Sequence, residues 1–402
     1  MAFWLLFSGG FHASRAQSAA GLFEDHTDVG VVLHAGSAEY NSAERTYTVA
    51  GSGENMWLAA DALHFAWKKV SGDVTLTANI SFIGTGGNAH RKAVLMIRQS
   101  LDADSAYADV ALHGSGLTSL QARDEKGATT HEVQSAVSAP ARVRIAKRGD
   151  YFYMWVAGAG EELHMGGGSM RVPLRDPFYV GIGVCSHDKD VVEKAVFSNV
   201  DLAGRPAATG QPVLYSTLET VPISSGDRRV VYVAAERLGS PRWSSDGAWL
   251  IFKRKGRTER VPVAGGEPAA VEAVGADSAS NNDGREPSPD GKFIYFHSDR
   301  AGGMQIWRTR SDGSGPEQIT SGDLQNCFPH VSPDGKQMVF LSFAKDVSGI
   351  PEDQDAMLRL MSLGDQKVKV LARLVGGKGT IDAPSWSPDS RSLAFVSYQL
   401  IP

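Results

Sequence analysis

The chain has almost none of the residues that build covalent or metal-bound frameworks: its 402 residues include two cysteines, Cys185 and Cys327, in opposite halves. A disulfide framework or a thiolate metal cluster needs more than that, so each is expected to be a buried thiol packing as a small hydrophobe. Past the first residues there is no run of 18 or more apolar residues, the length a membrane span requires, and none is expected. Clustered positive charge is missing too. Forty Lys and Arg against 45 Asp and Glu give a formal net charge of -5, which leaves no footprint for a polyanion and excludes nucleic acid as the expected partner. There is no G-x-S-x-G elbow, no H-E-x-x-H and no G-x-x-x-x-G-K-[ST] loop. Gly84-Thr85-Gly86-Gly87 carries no following helix signal. No cofactor or metal is implied.

What is present is turn chemistry. Forty-four glycines against 18 prolines, with 42% hydrophobic and 21% charged residues, describe a globular chain rich in tight turns. At about 100 to 200 residues per domain the length suits two domains. The apolar stretch Met1 to Phe11, followed by the small residues Ala13 to Ala20, resembles a secretory signal segment over residues 1–20, although no Lys or Arg precedes it. A periplasmic or secreted location is the expectation.

The second half repeats. Ser245-Asp246-Gly247, Ser288-Pro289-Asp290-Gly291, Ser332-Pro333-Asp334-Gly335 and Ser387-Pro388-Asp389-Ser390 are four copies of one turn, with Asp-to-Asp steps of 44, 44 and 55 residues. Proline presets φ, Asp caps the turn and Gly accepts positive φ. A short apolar strand follows each copy, and a period near 40 to 45 is that of a propeller blade. Strand material at Val213–Val221 and Arg229–Val233 precedes the first turn and a lone strand follows the last, so one blade is expected to be split between the two ends. Residues 30–200 instead show short alternating runs such as Asp73–Ile80, Val94–Arg98 and Tyr107–His113, the pattern of a sandwich. The expected layout is a β-sandwich over 22–202, a linker over 203–212 and a propeller over 213–402.

On Tyr215–Val221, Val261–Pro268, Met304–Trp307 and Pro384–Ser390 the second half resembles TolB-like β-propeller proteins. On Trp57, Phe65–Lys69, His90–Lys92, Leu112–Gly114 and Gly116–Gln121 the first half resembles the concanavalin-like lectin/glucanase-type sandwich that precedes such propellers in some bacterial proteins. The resemblance implies an all-β protein, a jelly-roll sandwich followed by a propeller. That family usually has six blades. Four are counted here, as if two had been excised near Ser280–Glu286, so the family's central site does not carry over.

Two sets of candidate site residues emerge. Arg242, Glu286, His330 and Ser385 each stand four residues before their turn Asp, and alternation aims them at the propeller axis. Arg242 is expected to pair with Glu286 there, with Asn281, Asn282 and Asp283 nearby; the plain alternative is a solvated channel lining. His330 and His297 are too few for a zinc site. In the sandwich, alternation groups Lys92 with Arg98, Asp109 with His113, and Ser119 with Gln121 and Arg123, with Trp57 or Trp67 as an aromatic platform. Neighbouring strands would make this a carbohydrate-contacting face; the plain alternative is an exposed face with local ion pairs. The reading is an exported, non-catalytic binding protein, with glycan on the sandwich and protein on the propeller. A polysaccharide lyase or hydrolase working in the channel, and a scaffold, are the alternatives.

Overall fold

The computed structural model describes residues 21–204, 211–271 and 285–401. The signal-like segment and most of the expected linker lie outside them. Every element among the described residues is a strand, and no helix is long and apolar enough to cross a membrane.

The sandwich pairs two antiparallel sheets. One has seven strands, in the order 164–171, 151–157, 142–148, 74–82, 193–204, 46–51 and 37–41. The other runs 25–29, 63–70, 178–185, 92–98, 107–113, 118–123 and 131–134. Alternation decides what lies between them. Ala93, Leu95 and Ile97, Val110 and Leu112, Leu120 and Ala122 enter the inter-sheet core against Leu76, Ala78 and Ile80. At about 1.5–3 kcal/mol per large apolar side chain this core fixes the register. The residues in between, which include the polar set, must therefore face the other way. The Glu193–Gly204 strand takes in the first two residues of the expected linker.

The second sheet does not stop at the sandwich. Its last strand, His131–Gln134, pairs in parallel with Arg228–Ala234 through Val133↔Arg228 and Gln134↔Arg229. Arg228–Ala234 continues to Val213–Pro222 and then to Ser392–Ile401, making ten strands in all. The last two pair over their whole length, from Val213↔Ile401 to Pro222↔Ser392. This is the split blade, and the Trp386↔Leu393 bridge supplies its innermost edge.

Three four-stranded sheets are the other blades: blade 1 from Leu238 to Ala270, blade 2 from Glu286 to Gln318 and blade 3 from Gln325 to Gly376. Each inner hairpin closes with the same clasp. Ser288 Oγ donates to Asp290 Oδ1 at 2.6 Å, that oxygen accepts from Lys292 N at 3.1 Å, and Ser288 Oγ accepts from Phe293 N at 3.0 Å. Ser332–Asp334 and Ser387–Asp389 repeat it. In the first copy the clasping serine is Ser244, one residue before the quoted triplet. The glycine position needs a left-handed backbone, and Ser390 adopts it at φ 61°. Apolar clusters join blade 1 to the split blade (Leu238, Phe252, Val396), the split blade to blade 3 (Val221, Leu341, Phe395), and blade 3 to blade 2 (Phe340, Tyr295, Ile306). Among the described residues no apolar cluster joins blade 2 to blade 1.

A polar network lies where sandwich and propeller meet. Arg228 Nε is 3.0 Å from Glu219 Oε2, with both side chains buried. Arg228 Nη2 donates to Ser169 O at 2.6 Å, and Ser397 Oγ donates to Glu219 Oε1 at 2.5 Å. Removing one partner of a buried ion pair costs about 3–5 kcal/mol, because the other charge stays behind. Arg228→Ala is expected to lower the unfolding free energy by about that much, in one transition common to both halves. Urea denaturation followed by tryptophan fluorescence and by circular dichroism checks both points.

Candidate functional site

The polar side chains of the sandwich form three rungs across four adjacent strands. Lys92 faces His113; past an intervening row of Val94, Ala111, Ser119 and Gln134, Met96, Asp109, Gln121 and Glu132 share the second rung, and Arg98, Tyr107 and Arg123 share the third. The strands are neighbours, but the face is not open. Arg98, Asp109, Gln121 and Arg123 are 0% exposed, Lys92 3% and His113 5%. The expectation of a solvent-facing patch is corrected: residues 53–62, including the Met56–Trp57/Ala60–Asp61 hairpin, form a roof over it.

The third rung is consumed by that roof. Arg123 grips Asp61 with two bonds, Nη2 to Oδ1 at 2.7 Å and Nη1 to Oδ2 at 3.1 Å, and Arg98 Nη2 reaches Oδ2 at 3.2 Å. Their other N–H groups donate to the carbonyls of Leu58, Ala128, Ser105, Ser100 and Asp102. Arg98 and Arg123, expected among the ligand contacts, instead hold the fold. Burial raises the Asp61 pKa and lowers that of Arg98, each opposed by the other's charge.

The other two rungs are unfinished. Gln121 Nε2 lies 3.2 Å from Ser119 Oγ, 3.3 Å from His113 Nε2 and 3.4 Å from Glu132 Oε2. The amide has two N–H groups for these three acceptors, and donation of one to His113 Nε2 places the ring's own proton on Nδ1. That Nδ1, Gln121 Oε1 and both Asp109 oxygens are buried without a partner. Burial, helped by the Lys92 ammonium, pushes His113 down to about 3. Burial also raises the Asp109 carboxyl well above its usual range, against the pull of Lys92. Lys92 Nζ donates to Asn55 Oδ1 at 2.6 Å and to Met56 O at 3.3 Å, and sits 5.5 Å from the ring of half-buried Trp57. Trp67 packs edge-on against Tyr179 at 5.0 Å.

His90 and His187 form a rim, 5.3 Å apart between ring centres, with His90 6.0 Å from His113. Among the described residues no group of three or more His, Cys, Asp or Glu could hold a metal ion. Asp61, Asn55, Glu132 and the rim histidines escaped sequence reasoning, and only Glu132 had a usable signal, its alternation with Gln134. An orphaned buried donor or acceptor costs about 1–3 kcal/mol. A ligand with several hydroxyls, each both donor and acceptor, could satisfy all of these atoms.

At the propeller axis Glu286 and His330 meet, His330 Nδ1 bonding Glu286 Oε2. This corrects the expected Arg242–Glu286 pair: the carboxylate is taken by His330, and its other oxygen accepts from Val331 N at 3.2 Å. His330 Nε2 lies 2.5 Å from Ile381 O. Both ring nitrogens therefore face acceptors, an arrangement that favours the doubly protonated ring. Burial opposes that charge, but Glu286 and the Ile381 carbonyl outweigh it and raise the pKa. A ring in this state has no lone pair for a metal or a substrate proton. Ser385 is fully buried with an unpartnered hydroxyl, and Arg242 stands on the Leu238–Trp243 strand of blade 1. Asn281, Asn282 and Asp283 lie outside the described residues.

The family model of the TolB beta propeller domain matches residues 210–372. That stretch is a TolB-like β-propeller domain. An uncharacterized protein of Agrobacterium fabrum is 45% identical over 130 residues, which are 32% of this chain and 44% of the relative, so the chain spans less than half of that relative's length. A solved TolB-like protein of Agrobacterium tumefaciens is similar at 28% identity and a TM-score of 0.41, over 48% of this chain and 100% of that one. A carbohydrate-binding module of Bacillus subtilis is similar at 17% identity and a TM-score of 0.31, over 46% of this chain and 98% of that one.

The titrations give two expectations. Asp109 has a raised pKa when folded, so its contribution is favourable below its unfolded value near 3.9 and is lost as pH rises. Asp109→Asn should therefore raise the thermal midpoint at pH 7, with the gain vanishing near pH 4. His330 is also raised, so its stabilisation is complete below about 6.5 and falls away as pH climbs through the folded pKa. His330→Gln should remove that part of the alkaline decline in the TolB-like domain, as read by thermal melts from pH 6 to 9.

Proposed function

We propose that this is an exported, non-catalytic binding protein whose sandwich holds a carbohydrate while the TolB-like domain contacts a protein. The observation carrying the first part is the set of orphaned groups on Asp109, His113 and Gln121, gathered beside Lys92 and Trp57. Sugars supply hydroxyls for such groups and a C–H face for an aromatic ring. Buried polar groups left unpaired by the fold cost stability, and a ligand that pairs them recovers it.

For the propeller, a polar cleft of about 370 Å³ between the loops of blades 2 and 3, lined by Gln305, Asp323, Gln325 and Lys345 among others, offers a surface for a partner. The lyase or hydrolase alternative loses support at the axis, where His330 is saturated on both nitrogens.

A panel of soluble polysaccharides and their oligosaccharides, titrated calorimetrically, tests this reading. Asp109→Ala or His113→Ala should weaken binding by about 1–3 kcal/mol, roughly 5- to 150-fold, with the fold intact by circular dichroism. Unchanged affinity in both would return these residues to a purely structural role. Products released from the polymers, and lost on adding a chelator, would favour an enzyme.

A further inference from the structure

The chain is acidic overall, yet one strip of it is cationic. On the strand 142–148 alternation sends Val143 and Ile145 into the inter-sheet core and turns half-buried Arg142 and Arg144 to the outer face of the seven-stranded sheet. That face lies on the opposite side of the sandwich from Asp109 and His113.

The register places Arg142 between Asn79 and Ala157, and Arg144 between Thr77 and Trp155. Arg144 Nε donates to Thr77 Oγ1 at 2.9 Å, which orients the guanidinium and leaves its two terminal nitrogens without a protein partner. Arg142 makes no side-chain hydrogen bond: its Nε is buried unpaired, as is Oδ1 of its cross-strand neighbour Asn79. Neither arginine forms an ion pair among the described residues. Two positions apart on a strand, about 7 Å, they repel each other. Burial lowers the Arg144 pKa, the Arg142 charge lowers it further, and Asp201 opposes both.

An aromatic file runs beside them on the next strand. Tyr151, Tyr153 and Trp155 alternate outward with ring centres 6.4 and 6.2 Å apart. Buried Tyr153 props half-buried Trp155 edge-on. Tyr151 Oη donates to Asp355 Oδ1 at 2.6 Å, so blade 3 closes that end and the arginines stand toward the other. These strands are interior to the sheet. They offer a peptide no backbone edge to extend, and recognition falls to the side chains: guanidinium forks for carboxylates and an indole for a flat C–H face.

We infer that the outer face of the seven-stranded sheet binds an acidic polysaccharide, a uronate chain whose carboxylates pair with Arg142 and Arg144 while a sugar ring stacks on Trp155. This site goes beyond the one around Asp109. The sandwich core separates the two, so each can fail alone.

Calorimetric titration of the full chain with polygalacturonate and with alginate tests this. At least one should bind, with an affinity that falls as added salt screens exposed charge. Fully methyl-esterified polygalacturonate, which is neutral, should bind about tenfold more weakly or worse than the free acid. The double variant Arg142→Gln/Arg144→Gln and Trp155→Ala should each lose about tenfold or more with unchanged circular dichroism. Arg144→Lys, which keeps the charge without the fork, should fall between, and Asp109→Ala should bind as the wild type does. Failure of both uronate polymers to bind, equal affinity for ester and acid, or unchanged binding in the double arginine variant overturns the inference. Polyglutamate or single-stranded DNA binding as tightly as the uronates overturns it too. Uronate binding lost in Asp109→Ala but kept in the arginine variants overturns it while leaving the earlier carbohydrate reading standing.

Discussion

Two residue pairs, Val133 with Arg228 and Gln134 with Arg229, turn two folds into one sheet. Without them the sandwich would end in a bare edge at His131–Gln134, and the split blade would end in another at Arg228–Ala234. Unpaired edges invite pairing with other chains; here each covers the other. The buried Arg228 and Glu219 lock the contact from below, with Ser169 from the sandwich and Ser397 from the last strand in the same network. The first propeller segment, the last one and the sandwich therefore converge on one place, and the other blades are laid out from it through the split blade.

The unfinished rungs of the sandwich show the opposite economy. Most buried polar groups in a folded protein find partners, and a few residues away Arg98, Arg123 and Asp61 do so completely. Asp109, Gln121 and His113 lie on the same strands under the same roof, yet keep four atoms unpaired. A fold that satisfies one rung so thoroughly and leaves the next incomplete gives up stability at a definite place. Such a loss is commonly tied to function. The axis of the propeller differs: Glu286 and His330 satisfy each other there.

Turn chemistry made the propeller legible, since Ser-Pro-Asp-Gly closes a hairpin using only its own atoms and leaves the same mark at each blade. Even so Ser244 was overlooked, because its copy carries serine where the others have proline. Alternation likewise put Lys92, Asp109, His113 and Gln121 on one face, as period two requires. What it could not give was their burial. The roof comes from residues 53–62, and nothing local to Arg98 or Arg123 announces Asp61. At the axis the repeat register brought Glu286 and His330 to one level, but the choice of partner depends on which blades adjoin. Blade 2 packs on blade 3, so His330 takes the carboxylate assigned to Arg242.

The shared sheet has a mechanical side. The backbone ladder between the halves is two residue pairs long, whereas Ser392–Ile401 holds Val213–Pro222 through ten. If the sandwich grips one body and the propeller another, tension between them crosses that junction before it reaches the blades. The side-chain contacts across it, Val230 in the sandwich core, Thr217 against Gly168 N and Arg228 against Ser169 O, share that load with the two-pair ladder.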